Sequence, residues 1–515
     1  MTPVAETLSD IVASPSTARV VFTSPEHGGD WSVAALCERG RLFASALAAR
    51  GIEPGDRVAV QVPNWPEAVV AYIACFVAGA VIVPIVHIYG PAEVGFIARQ
   101  SGARLLIVPD RWHGIDYSGV IAAASGAPTL DDVIVVGDDV PAGCTSWDDV
   151  EHAATGMALP ARRSEPDDVC VLVYTSGTTA APKGVQHTHR TLIAEVRSTE
   201  HLHGGGVTLQ AFPAGHVAGL LGVLRPLMGT CSTVCLDSWD PDVAARLIAE
   251  HRVTFTAGTP LHLATLLDAG ARGGTDLTSL RSYMTGAASV PPSLIERAER
   301  AGIPTYRCYG SSEHPTVTSG SVDDPLERRA STDGRLLPGN EVRVVDDDGR
   351  DVTDGRAGEV CTRGPELFVG YRDARMDADA FLPGRWFRTG DIGSLDASGY
   401  LTITDRKKDV IIRGGENISS KEVEDVLARH PGVGEVAVVA VPDERYGEVV
   451  CAVVIAVEGA SPSLEELRRH VFEAGLARPK APERLVLVED LPRTAAGKVK
   501  KFELRRGLAG DPPGH

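Results

Sequence analysis

No CxxC pair occurs among the nine cysteines, and the closest two are Cys231 and Cys235. Zinc sites need paired ligands at short spacing on both sides of a loop, so structural zinc is excluded and buried free thiols of a reducing compartment are expected. The first residues do not read as a secretory leader, because Glu6 and Asp10 interrupt them and no apolar core follows. Neither internal repeats nor low-complexity segments occur. Positive charge is scarce: 50 Lys+Arg against 68 Asp+Glu leave a net charge of −18. Such a surface repels phosphate backbones, so nucleic acid is not an expected partner. One long apolar run exists, over 69–86, and Gly79 and Pro84 lie inside it. It reads as a buried helix over 68–77, a turn at Gly79 and a buried strand to 86, not as a membrane span. The expected location is the cytoplasm.

What is present is ordinary globular composition, 43% hydrophobic and 23% charged, on 515 residues. That length buries a large core without disulfides. Helix and strand signals alternate: helix 32–49 with Ser32 as N-cap, strand 57–62, helix 66–77, strand 80–86, helix 92–101, strand 104–108. The pattern returns with strand 169–174, helix 241–251 and strand 253–257. Alternation of this kind predicts an α/β fold of mixed, mostly parallel sheets. After about 330 the character changes to short antiparallel strands, 341–346, 358–363 and 400–404, joined by Asp/Gly turns, which predicts a β-rich subdomain. Beyond Asp405 a smaller α+β unit follows, with helix 421–428, strands 433–441 and 448–457, and helix 463–473. The expected division is a large N-terminal domain, 1–405, and a small mobile C-terminal domain, 406–515, with a loose tail at 511–515.

The densest chemistry lies at Tyr174-Thr-Ser-Gly-Thr-Thr-Ala-Ala-Pro-Lys-Gly184. A buried strand runs into a loop of small residues and hydroxyls, then reaches Lys183. Small residues let backbone N–H groups approach phosphate oxygens, hydroxyls add donors and the lysine adds charge. The GK[ST] of a Walker A loop is missing. Composition alone leaves a Ser/Thr-rich turn equally open; the order of residues decides.

That order resembles the phosphate loop of the adenylate-forming superfamily: acyl-CoA synthetases, stand-alone adenylation domains and firefly-type luciferases. Four further segments resemble that family's motifs in sequence order: Tyr309-Gly-Ser-Ser-Glu313, Thr389-Gly-Asp391, Asp405-Arg-Lys-Lys-Asp-Val-Ile-Ile-Arg-Gly-Gly-Glu-Asn-Ile-Ser419 and Pro492-Arg-Thr-Ala-Ala-Gly-Lys498. Taken singly, Glu313 reads as a loop carboxylate and Lys498 as a surface lysine; five ordered motifs reverse both readings.

The resemblance implies a role for each position. Thr175, Ser176, Gly177, Thr178, Thr179 and Lys183 cradle the phosphates of ATP, with Gly310, Ser311 and Ser312 beside them. Tyr309 stacks on adenine, Asp391 receives the ribose hydroxyls with help from Arg406, and Glu313 holds Mg²⁺. Gly286 and Ala287, in Met284-Thr-Gly-Ala-Ala288, bring backbone close to the nucleotide and the acyl group, although a plain tight turn is a fair rival. Lys498 is the cation at the α-phosphate, Lys408 the hinge, and Gly414 and Gly415 line the route of the coenzyme A thiol once the small domain has rotated. Both reactants of the first step are anionic, so cations are needed where charge develops.

Phe212-Pro-Ala-Gly-His216 begins the acyl pocket of the family and carries no aspartate, which argues against an amino-acid substrate. His216 borders the acyl and thiol channels, and the apolar, glycine-rich Val217-Ala-Gly-Leu-Leu-Gly222 suggests an aliphatic, alicyclic or terpenoid acid. The expected activity is that of an acid–CoA ligase: acid, ATP and CoA give acyl-CoA, AMP and pyrophosphate. Ala180 departs from the family, which has glycine there. A methyl group could crowd the β- and γ-phosphates, so a chain that only turns a supplied acyl-adenylate into the thioester is the alternative, with a partner enzyme making the adenylate. Loading of a carrier protein in trans is another. A luciferase-like oxygenase and a catalytically inert nucleotide-binding regulator are weaker; Glu313, Asp391 and Lys498 together oppose the last.

Overall fold

The structure is a computed structural model. It describes residues 6–159, 164–175, 182–288, 290–346, 348–352, 355–413, 416–443, 445–474, 476–494 and 497–508, with the backbone alone for 416 and 417. Ser176, Gly177, Thr178, Thr179, Ala180, Gly414, Gly415 and the tail 511–515 lie outside these residues.

The expected alternation builds two large sheets. In one, Val169–Thr175, Val81–Pro84, Arg57–Val60, Ala103–Pro109 and Asp132–Val136 run parallel, and Lys183–Thr188 adds antiparallel beside Val169–Thr175. In the other, Arg19–Phe22, Ser232–Cys235, Val207–Gln210, Phe255–Gly258, Ser282–Thr285 and Thr305–Tyr309 run parallel in that spatial order. The N-terminal domain is therefore α/β with mostly parallel sheets, as the alternation predicts.

The apolar run is core. Pro66 opens the helix Pro66–Ala78, Gly79 ends it with φ 72°, and eleven of its thirteen residues are buried. It packs in one cluster with residues of both sheets, such as Val58, Ile82, Val171, Val20 and Cys235. A helix that is apolar all round belongs between two layers, and no described helix is long and apolar enough to cross a membrane. The strand expected over 80–86 is shorter, Val81–Pro84. The Gln61 amide donates to the carbonyls of Val86, His87 and Tyr89, and so replaces a neighbouring strand there.

Glu341–Val345, Gly358–Arg363, Trp386–Leu395 and Leu401–Arg406 form the antiparallel β-rich part. Asp396 closes its last hairpin by accepting from the N–H groups of Ser398 and Tyr400. The smaller C-terminal domain has its own sheet, including Ile411–Arg413, Val433–Asp443 and Gly447–Ala456, and its own core around Val423, Val438, Val450 and Leu467. Its helix Leu464–Glu473 starts at Ser463 with a full capping box. All nine cysteines are unpaired, seven of them buried, and no cluster of three or more metal-ligating side chains occurs among the described residues.

Candidate active site

Parallel strands of the second sheet end on one edge, and each supplies part of a site there. Val207–Gln210 leads to 212–216, Phe255–Gly258 to Thr259, Ser282–Thr285 to Gly286 and Ala287, and Thr305–Tyr309 to the turn 310–316. The carboxyl edge of such a sheet is where α/β folds bind ligands. Gly286 fits because a Cβ would stand 2.7 Å from Cys308 Sγ, and Ala287 follows at φ 63°, a left-handed strain of the kind that clusters at ligand sites. The turn 310–316 is wound tightly. Ser311 Oγ accepts from the N–H groups of Glu313 and His314, both at 3.2 Å, and the Ser311 N–H donates to the His314 carbonyl at 2.8 Å.

Asp391 lies on Trp386–Leu395 opposite Arg406 of Leu401–Arg406. Its Oδ1 is 3.0 Å from Arg406 Nε, and its Oδ2 accepts from the Tyr309 hydroxyl at 2.7 Å. Burial and then this carboxylate push the Tyr309 phenol well above its ordinary range. Each carboxylate oxygen keeps another lone pair, so the pair of oxygens can still receive a vicinal diol. Glu313 Oε1 accepts from the Tyr371 hydroxyl at 2.8 Å, and Lys183 Nζ lies over the Tyr371 ring, 5.3 Å from its centroid. Lys183 faces Thr175 across the hairpin.

Lys498 reaches this edge from the C-terminal domain. A Cβ on Gly497, just before it, would stand 3.8 Å from Leu261 Cδ2 and 3.9 Å from Thr259 Oγ1. Burial, Arg406 and Lys408 bring the Lys498 ammonium down to about 8, while Asp391 and Glu313 hold it up. Burial first, then Lys498, pushes His216 down to about 4. His216 Nδ1 accepts from the Ala218 N–H at 3.3 Å, capping Val217–Leu227. The proton of this neutral imidazole therefore sits on Nε2, so His216 is a neutral donor and Lys498 is the cation.

The hairpin strand bearing Lys183, the Asp391 carboxylate with its spare lone pairs, and a lysine from the C-terminal domain thus meet at one sheet edge. Residues 11–372 match the family model of the AMP-binding enzyme, and residues 422–498 match that of the AMP-binding enzyme C-terminal domain. The chain belongs to the AMP-binding enzyme family. It is 35% identical over 491 residues to the medium-chain fatty-acid–CoA ligase of Escherichia coli K12, covering 94% of this chain and 86% of that protein. It is 38% identical over 483 residues to the 3-[(3aS,4S,7aS)-7a-methyl-1,5-dioxo-octahydro-1H-inden-4-yl]propanoyl:CoA ligase of Mycobacterium tuberculosis H37Rv, covering 90% and 91%. The ATP-bound structure of MatB from Rhodopseudomonas palustris superposes with a TM-score of 0.87 at 28% identity, over 98% of this chain and 99% of that one. This AMP-binding enzyme is an AMP-forming acid–thiol ligase of the acyl-CoA synthetase branch, working with ATP and CoA.

In this AMP-binding enzyme the structure brings together Thr175, Lys183, His216, Gly286, Ala287, Tyr309, Gly310, Ser311, Glu313, Asp391, Arg406 and Lys498. Ser312 is anchored from below, its carbonyl 2.8 Å from His187 Nε2. Lys408 stands beside Arg406; burial and that guanidinium bring its ammonium down to about 8, and its carbonyl accepts from Arg505. Mg²⁺ binds through few carboxylates and several phosphate or water oxygens. Glu313 fits that pattern, since one oxygen is oriented by Tyr371 and the other has no hydrogen-bond partner among the described residues.

Sequence reasoning missed Tyr371, Thr259 and Leu261, which carry no motif of their own. Tyr371→Phe removes the bond that orients Glu313, a loss of about 1 kcal/mol. The expected outcome is a several-fold higher Mg²⁺ concentration for half-maximal ATP–pyrophosphate exchange, with kcat at saturating Mg²⁺ nearly unchanged. An unchanged Mg²⁺ dependence removes Tyr371 from the site.

On the acyl side Phe212 stacks with His216 at 5.8 Å, Trp239 stacks with His262 at 4.4 Å, and Phe212 lies 5.8 Å from His262. The glycine-rich helix Val217–Leu227 also has a packing reason for one of its glycines. A Cβ on Gly222 would collide with Gln210 Oε1 at 1.6 Å, so that glycine seats the helix on the sheet.

Proposed function

We propose that the protein converts a hydrophobic, ring-bearing or aliphatic monocarboxylic acid to its CoA thioester through an acyl-adenylate, with Mg²⁺ at Glu313. The observation that carries this reading is the meeting of Lys498, Asp391, Glu313 and His216 at one sheet edge. In the first step a carboxylate oxygen attacks the α-phosphorus of ATP, and the bond to pyrophosphate breaks. Lys498 balances the charge growing on the α-phosphate. Mg²⁺, when bound, screens the phosphates so that the anionic acid can approach. In the second step the CoA sulfur attacks the acyl carbon, AMP leaves with the C–O electron pair, and the thiol proton passes to solvent. His216 Nε2–H is placed to hydrogen-bond an acyl oxygen. The division falls at 405/406, and rotation at Lys408 withdraws Lys498 and brings Gly414 and Gly415 to the thiol route.

The names of two relatives support this acid class: one is named for medium-chain fatty acids and the other for a bicyclic propanoate. The wall of Phe212, Trp239 and His262 suits an apolar acid with a ring. A panel of alicyclic, terpenoid, aryl and fatty acids, tested for acid-dependent ATP–pyrophosphate exchange and for CoA thioester formation, decides the class. Activity with amino acids alone, or with a carrier protein and not CoA, overturns the reading.

A second reading is favoured by one sequence observation, Ala180 in the phosphate loop. An enzyme limited to the second step shows thioester formation from synthetic acyl-adenylate and little exchange. Ala180→Gly then raises exchange; an unchanged rate discards that reading.

A further inference from the structure

Arg225, near the end of the helix Val217–Leu227, is only 9% exposed. A guanidinium is charged at any working pH and carries five N–H donors. Among the described residues this one makes neither a hydrogen bond nor an ion pair, and its Nε is cut off from solvent as well. Beside it stands His203, the last residue of the helix His189–His203, with both ring nitrogens buried and unpartnered. The His203 ring stacks on Phe255 at 4.5 Å. Burial and then Arg225 push His203 down to about 2, so it is neutral and keeps one N–H donor. Buried polar groups are nearly always paired. Two neighbouring side chains that are not mark a place where a ligand group fits.

That place adjoins the acyl side of the site. Gly222 packs on Gln210 of the second sheet, and Arg225, three residues on, lies on the same helix face. Below that face Phe255, Met284 and Tyr306 form one cluster, with Leu202, Ala257 and Cys308 packed against it. Arg225 is near enough to Tyr306 and Cys308 for their charges to interact. Cys308 in turn adjoins the nucleotide edge, because a Cβ on Gly286 would stand 2.7 Å from its Sγ. Ala257 and Cys308 remain half-buried although their strands are internal to the sheet, so open space runs over them. A path therefore leads from His216 and Gly286, over Ala257 and Cys308, to Arg225 and His203. About 13 Å of helix axis separates His216 from Arg225, and long helical side chains lean back toward the N-terminus. The guanidinium is thus within reach of a medium-length acyl chain.

We propose that Arg225, with His203, forms the far end of the acyl pocket and selects an acid that carries a neutral carbonyl oxygen remote from the carboxyl that is activated. This rests on the acid–CoA ligase reading above. A plain hydrocarbon tail would leave the guanidinium donors desolvated and unpaired, the costly state for a buried charge. A carbonyl oxygen accepts from them. A second carboxylate would meet Glu195, which already acts on Arg225. Glu195 is itself spent on Thr316, accepting from its N–H at 3.2 Å and its hydroxyl at 2.6 Å. A neutral carbonyl brings no charge to that carboxyl.

The test compares kcat/KM for CoA thioester formation across linear acids from hexanoic to dodecanoic and cyclohexyl-bearing acids. Each is supplied as the plain acid, as a derivative with a keto group near the far end, and as the dicarboxylic acid. At the length that fits, the wild type is expected to prefer the oxo acid to the plain one by about ten- to a hundredfold, the worth of one hydrogen bond to a charged donor. Arg225→Met is expected to bring that ratio to one or below, and Arg225→Lys to give an intermediate ratio. Both acids are measured on the same preparation, so any loss of folded enzyme cancels. A merely structural role for Arg225 would lower both constants and leave the ratio in place. If Arg225→Met does not fold, the wild-type and Arg225→Lys ratios carry the test. Equal constants for oxo and plain acids at every length, or a preference that survives Arg225→Met, overturn the proposal and leave the ligase reading standing. A dicarboxylic acid preferred to the oxo acid overturns the neutral carbonyl. No thioester from any of these acids or of the wider panel above overturns the ligase reading, and this inference with it.

Discussion

Lys498→Met is expected to lower acid-dependent ATP–pyrophosphate exchange about 10²–10³-fold, the usual cost of removing one preorganised charge from a transition state. Thioester formation from a synthetic acyl-adenylate is expected to stay within a few-fold of wild type. The split follows from geometry. Lys498 comes from the C-terminal domain, and its ammonium feels both Asp391 and Glu313. In the proposed mechanism it stands where α-phosphate charge grows, and the thiol step has no use for it there. Equal losses in both half-reactions would mean that Lys498 supports the fold or the nucleotide, not the first step.

The same ammonium sets a pH limit. Burial and Arg406 bring it down to about 8 before nucleotide binds, so the cation is present below that value and is lost as pH rises through it. Phosphate anions draw the value back up. In saturating ATP the exchange rate is accordingly expected to hold to higher pH than at low ATP, where kcat/KM for ATP declines above about pH 8.

The parts of the site legible in the sequence are those whose chemistry is local. The hairpin around Thr175 and Lys183, the turn from Tyr309 to Glu313, and Asp391 with Arg406 each announce themselves by residue type and order. The helix and strand alternation likewise predicted the parallel sheets, because each βα unit buries an apolar face that shows in a short window. What stayed hidden depends on long-range pairing. Tyr371 meets Glu313 because Gly370–Tyr371 pairs with the edge of Lys183–Thr188, and no local pattern encodes that. Glu195 reads as one more charge on an amphipathic helix, and only the packed structure shows that it is buried against Thr316. The close approach of Gly222 to Gln210 beneath it is likewise a long-range pairing that the glycine pattern alone does not show.

Asp391→Ala separates the nucleotide grip from the chemistry. The carboxylate accepts from the Tyr309 hydroxyl at 2.7 Å and sits 3.0 Å from Arg406 Nε, and it is the one group among these that can receive both ribose hydroxyls. Charge-assisted hydrogen bonds are worth about 1.5–3 kcal/mol each, so losing the pair is expected to lower kcat/KM for ATP about 10²–10⁴-fold. Adenylate is held by the same ribose in the second step, so thioester formation from a synthetic acyl-adenylate is expected to fall by a similar factor, unlike in Lys498→Met. Asp391 also holds the Lys498 ammonium up against Arg406. Without it, only Glu313 opposes Arg406 and Lys408 at Lys498, and the alkaline limb of the exchange profile is expected to move to lower pH. Asp391→Asn keeps an acceptor but no charge; it is expected to recover part of the binding while leaving the pH limb displaced. A variant that lost affinity with an unmoved limb would show that Asp391 serves the ribose alone and does not tune the lysine.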